Sequence, residues 1–138
     1  MISSVELGNA VLALRASKID ADTTPGYIRV YAGSPPVNAG DITDQELLWE
    51  SQISAKPCYS SIADKVMTLV GIPEQLTLLT GTAGFAMITD GAGNHVCTAT
   101  VGVKDTPTAG TRYEIEVPTL DFIKGAYLRI PSAKIREQ

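Results

Sequence analysis

Thr80-Gly81-Thr82-Ala83-Gly84-Phe85-Ala86-Met87-Ile88-Thr89-Asp90-Gly91-Ala92-Gly93-Asn94-His95-Val96-Cys97-Thr98-Ala99-Thr100-Val101-Gly102 is the stretch whose reading decides the fold. Phe85 to Thr89 and Val96 to Val101 are rich in the aromatic and β-branched residues that fit a pleated surface. Between them, Asp90 to Asn94 supplies residues that tolerate positive φ, so the chain can reverse. The stretch predicts a β-hairpin turning at 90–94. The small polar tip also predicts tolerance of an insertion after Ala92.

Working outward, strands and turns continue on both sides. Tyr27 to Ala32 alternates, with Ile28 and Val30 on one side and Tyr27, Arg29 and Tyr31 on the other. That trio reads either as an interface anchor, because Tyr and Arg concentrate at binding hot spots, or as an amphipathic outer face. Leu47 to Ile53 reads as a strand whose Trp49 enters the core beside Leu47 and Ile53, the competing reading of Trp49 being a sugar-stacking platform. Ser54 to Lys65 carries no decisive pattern; Val66 to Ile72 and Leu76 to Thr80 are strand-like. Arg112 to Val117 alternates, with Tyr113, Ile115 and Val117 inward and Arg112, Glu114 and Glu116 outward. Phe122-Ile123 and Tyr127 to Ile130 predict a closing hairpin around Lys124-Gly125. About eight short strands, punctuated by Gly, Pro and Asp, predict an all-β fold: a β-sandwich, jelly-roll-like, with antiparallel strands.

The one helix signal is N-terminal. Ser3 as N-cap and Glu6 three residues on form a capping box, with Ile2 and Leu7 placed as a hydrophobic staple. Leu7, Val11 and Leu14, with Ala10, make an apolar stripe on a helix expected from Ser4 to Lys18, ended by the loop to Pro25-Gly26. The stripe needs a cover. The expected organisation is a single domain: a helical arm over 1–20, the β-sandwich over 21–131 and a tail over 132–138.

The formal net charge is −4, which argues against a nucleic-acid surface. Its distribution is uneven: residues 1–123 carry seven Lys/Arg against fourteen Asp/Glu, and residues 124–138 carry four against one. Ser132 to Gln138 follow Pro131 and read as too polar for the core. As an extended tail they reach roughly 23–25 Å, with Ile135 as an apolar anchor between Lys134 and Arg136; the competing reading is a solvated end. No apolar run is long enough to span a bilayer. The first residues lack the basic and apolar regions of a signal peptide, so synthesis in a cytoplasm is expected. Cys58 and Cys97 have no metal-ligand spacing and are expected as free thiols packed like small hydrophobes.

The sequence offers chemistry little purchase. His95 is the lone histidine, beside a turn, with no partner that the sequence places next to it. Asp90 to Val101 fails as a calcium loop: Ala92, His95 and Val101 stand where an acidic ligand, a glycine and a bidentate glutamate are needed. Gly91 and Gly93 open a G-x-G, but Val96 replaces its third glycine and a strand follows. Asp20, Asp22, Asp41 and Asp44 sit in loops, where carboxylates are usually solvated. The expectation is a non-enzymatic chain with no catalytic residue, no metal and no cofactor.

The order of the motifs resembles small structural proteins from the virion modules of tailed bacteriophages. The resemblance rests on Tyr27-Ile28-Arg29-Val30-Tyr31-Ala32-Gly33-Ser34-Pro35-Pro36, a leucine-rich strand, Thr80-Gly81-Thr82-Ala83 leading to Asp90, and Thr100-Val101-Gly102. It implies a capsid decoration, or cement, protein. Such a protein is made in the host cytoplasm, sits on the capsid exterior, binds the major capsid protein and bridges capsomers, as a homodimer or a trimer. It involves neither nucleic acid nor membrane. The candidate interface is Ile2, Leu7, Val11, Leu14, Tyr27, Arg29, Tyr31, Lys134, Ile135 and Arg136. The alternative is a carbohydrate- or protein-binding β-sandwich module of a phage tail or fibre, which needs exposed aromatic residues in a groove.

Overall fold

The computed structural model describes residues 4–21, 24–36, 42, 45–103 and 113–136. Among the described residues one helix, α1 (Val5–Ile19), precedes eleven strands: β1 (Tyr27–Ala32), β2 (Leu47–Gln52), β3 (Tyr59–Ala63), β4 (Val66–Leu69), β5 (Gln75–Leu76), β6 (Gly81–Thr89), β7 (His95–Val103), β8 (Ile115–Val117), β9 (Asp121–Phe122), β10 (Tyr127–Leu128) and β11 (Ser132–Arg136). The fold is all-β and sandwich-like, with one short helix. The main sheet curls through the order β2-β1-β6-β7-β8-β11-β4-β3; β9 adds to β6, and β5 and β10 form a separate two-stranded ribbon.

The β6–β7 hairpin forms as its sequence predicts, with Phe85 opposite Thr100 and Met87 opposite Thr98. Its tip is more organised than a free loop. Asp90 Oδ1 accepts from the amides of Ala92 (3.0 Å) and Asn94 (2.8 Å), and Oδ2 accepts from Asn94 Nδ2 at 3.1 Å. A Cβ on Gly91 would stand 1.9 Å from the Thr24 carbonyl oxygen, so the tip packs against the β1 approach.

The helix also forms, one residue later than expected. Ser4, not Ser3, is the N-cap: its extended backbone leaves Oγ free to accept from the Leu7 amide at 3.1 Å. The buried face is Gly8, Leu12, Ala16 and Ile19 rather than the Leu7–Val11–Leu14 stripe. Gly8 and Ala16 are small and let the helix approach β3 and β4. The aliphatic stem of Lys65 lies where a Cβ on Gly8 would be, and Asn9 Oδ1 accepts from the Lys65 amide at 2.9 Å. That bond steadies the β3–β4 turn, where Asp64 and Lys65 both hold the left-handed φ (52° and 62°) of a two-residue hairpin. An Asp-Lys turn lacks the glycine that marks such hairpins, which is why Ser54 to Lys65 carried no pattern.

Four expectations are corrected downstream. First, the strands are not all antiparallel: β8 runs parallel to β7, Val101 beside Ile115 and Val103 beside Val117. Buried on both faces, β8 takes Glu116 inside as well. Second, Lys124-Gly125 turns the chain, with Gly125 at φ +86°, but the flanking strands part. β9 pairs with β6 and β10 with β5. Third, Leu47 lies opposite Trp49's face, because the β1–β2 register shifts between Val30 and Tyr31. Fourth, Ser132–Arg136 is no tail. It is β11, paired with β4 on one side and β8 on the other. Only alternate residues of such a strand must be apolar, and Ala133 and Ile135 are the two that enter the core.

The core joins Leu12, Ala16 and Ile19 of α1 to Trp49, Ile88, Ile115, Ala133 and Ile135, so the helix belongs to the domain. A smaller cluster on the other face of the sheet holds Tyr31, Phe85 and Met87 with Ile42 and Leu47. Its rings stack, with centroids 5.2 Å apart and planes 12° from parallel. Among the described residues, no helix is long and apolar enough to cross a membrane.

Candidate interaction surfaces

Two surfaces stand out from this frame. The first is the outer face of α1. With Gly8, Leu12, Ala16 and Ile19 turned inward, Leu7 and Leu14 are left 54% and 59% exposed, Val5 is exposed and Val11 half-buried. A groove of about 550 Å³ runs between this face and the β6–β7 turn, lined by Val11, Leu14, Lys18, His95 and Val96 among others. Arg15 Nη1 donates to the Val96 carbonyl at 3.2 Å and ties the helix to β7. His95 Nε2 lies 2.9 Å from Thr98 Oγ1. Its pKa is lowered, first by partial burial and then by the Arg15 charge.

The second surface is built around Tyr27. Register places Tyr27 opposite Gln52 and Arg29 opposite Glu50. Arg29 Nε donates to Glu50 Oε1 at 3.2 Å, and its guanidinium sits 4.9 Å from the Tyr27 ring centre. The β5–β10 ribbon stands beside this face. Trp49 Nε1 donates to the Gln75 carbonyl at 3.1 Å, and the Leu78 amide to the Leu48 carbonyl at 2.7 Å. Tyr127 pairs with Leu76 across the ribbon. The result is a groove of about 430 Å³ lined by Tyr27, Glu50, Gln52, Gln75, Leu76, Leu78 and Tyr127. Leu76 and Leu78 are exposed, and Tyr127 is 69% exposed.

The candidate interface residues therefore separate. Leu7, Val11 and Leu14 share the outer helix face, and Ile2 lies outside the described residues. Tyr27 and Arg29 border the second groove. Tyr31 is buried in the small cluster instead; its phenol is pushed up by burial, against a smaller downward pull from Arg29. Ile135 is core, Lys134 is exposed, and the Arg136 amide donates to Glu114 Oε2 at 2.8 Å. Gln75, Leu76 and Tyr127 were not singled out by sequence, because each reads as an ordinary strand residue until the ribbon sets it beside β1 and β2.

Asp22, Asp41 and Asp44 lie outside the described residues, and several titratable groups within them have structural occupations. Asp90 is held by its own turn. Its carboxyl lies below the usual range chiefly through the Asn94 amide, with help from the Asn94 side chain and the Ala92 and Gly93 amides. Glu114 accepts from the amides of Thr100 (3.2 Å) and Arg136, joining β7 to β11. Cys58 and Cys97 are buried and are not joined by a disulfide, as expected. Burial and the neighbouring Asp20 charge push the Cys58 thiol up to about 12. No group of three His, Cys, Asp or Glu residues among the described residues is arranged to hold a metal. No family model, curated protein or solved structure matches the chain.

Proposed function

We propose that this chain is a non-enzymatic virion protein that binds the outer surface of a tailed-phage capsid and bridges neighbouring capsomers. The observation that carries the reading is the outer face of α1, where exposed Leu7 and Leu14 flank half-buried Val11 on a helix whose opposite face already serves the core. Large apolar side chains grouped on an exposed face mark docking surfaces rather than fold requirements. The phage context comes from the order of motifs along the sequence.

The mechanism is additive. Each copy contributes a modest apolar contact, and a clip that holds two capsomers makes the second contact intramolecular. A homodimer across a two-fold position is the simplest symmetric form, and a trimer at a three-fold position its nearest variant. With Ser132–Arg136 inside the sheet, the clip runs through the helix face and not through a basic tail. The test is the copy number of the chain in purified virions of the phage that encodes it. Hundreds of copies, lost when Leu7 and Leu14 are both changed to serine, are the expected result. Absence from the particle overturns the reading.

A further inference from the structure

We propose that the groove between Tyr27 and Tyr127 is a binding site for a neutral oligosaccharide. A pyranose ring presents an apolar C–H face and a rim of hydroxyls, so its site needs an aromatic platform flanked by side chains that both donate and accept. Tyr127 supplies the platform: it is 69% exposed and is held at the groove edge by its pairing with Leu76. Tyr27 is fixed by the Arg29 guanidinium against its ring and offers its hydroxyl.

The polar groups have capacity to spare. Glu50 uses one carboxylate oxygen for Arg29, leaving the other. Gln52 donates through Nε2 to the Pro25 carbonyl at 3.2 Å, leaving its amide oxygen. The Gln75 side chain and both tyrosine hydroxyls have no hydrogen-bond partner among the described residues. Donors and acceptors of this kind converging beside apolar surface define a small-molecule site, and the volume of about 430 Å³ falls in the range of such sites. Charge selects the ligand class. Arg29 is engaged by Glu50 and Tyr27, so among the described residues the groove is lined by no uncommitted cation for a phosphate or uronate, and the remaining Glu50 oxygen repels one.

This site does not depend on the capsid reading: sugar binding without capsid binding, or the reverse, tells the two apart. The experiment is an NMR titration of the ¹⁵N-labelled full chain with maltotriose, cellotriose and chitotriose. At least one sugar is expected to give saturable shifts confined to the side-chain amides of Gln52 and Gln75 and the backbone of residues 75–78 and 127. The expected affinity is roughly millimolar, as suits an open groove. Tyr127→Ala should weaken it at least about tenfold and Tyr127→Phe less than about threefold. Tyr127 is exposed, so both variants fold. The proposal is overturned by no saturable shift up to roughly 20 mM sugar, by equal binding by Tyr127→Ala, or by shifts elsewhere. Concentration-dependent shifts at these residues without sugar would also overturn it, marking a self-association surface instead.

Discussion

Helix α1 and strand β11 look, in sequence, like opposites of what they are. The helix carries an apolar stripe, Leu7–Val11–Leu14, that asks for burial, and the structure leaves it on the outside. The last residues, Ser132 to Arg136, look like a solvated basic tail, and the structure threads them between β4 and β8. The difference teaches that side-chain size and strand neighbours, not apolar content alone, choose the buried face. Gly8 and Ala16 allow α1 to lie close to the sheet, so Leu12 and Ile19 go in and the larger stripe stays out. A strand with partners on both sides needs only Ala133 and Ile135 to be apolar, whatever charge sits between them.

The comparison can be broken at its strongest point first. Deleting residues 132–138 removes a strand from the middle of the sheet and should abolish cooperative thermal unfolding, read by circular dichroism. A truncated chain that melts like the full one would return the segment to the role of a tail. Point changes should follow the same division. Leu12→Ala is expected to cost about 2–5 kcal/mol, roughly 10 °C of melting temperature for this size. Leu14→Ala, two residues on, should stay within about 0.5 kcal/mol. Equal losses would mean that the outer stripe is packed.

At the hairpin tip, Gly91→Ala should cost about 1–3 kcal/mol, because the new Cβ meets Thr24 backbone that cannot step aside freely. The insertion tolerance that small polar residues suggested is not expected there. The smallest effect is electrostatic. The folded-state pKa of Asp90 is depressed, so its stabilisation is full above the ordinary carboxylate range and is lost as pH falls through the depressed value. The melting-temperature gap between the wild type and Asp90→Asn should be flat from about pH 5 to 8 and close below about pH 4.

Local chemistry was legible and long-range pairing was not. The β6–β7 hairpin, the N-terminal helix and the burial of Trp49 and of the two thiols all follow from residues close together in the chain. The parallel β7–β8 pair depends on a crossover that no local signal marks. The false hairpin around Lys124-Gly125 had a true turn, yet nothing nearby says that Phe122 joins β6 while Tyr127 joins β5. Of the Tyr27 groove, only its β1 margin was readable. Its other members arrive from segments about 25, 50 and 100 residues away, and alternation within each gives no sign that they meet.

The central claim is that the Leu7–Leu14 face serves a partner and not the fold. Co-sedimentation of the Leu7→Ser/Leu14→Ser double variant with capsids, beside the wild type and at matched melting temperature, tests it most directly. The account expects the variant to melt within about 2 °C of the wild type and to remain in the supernatant while the wild type pellets with the shells. A variant that pellets as the wild type does, or one that fails to fold, would contradict it.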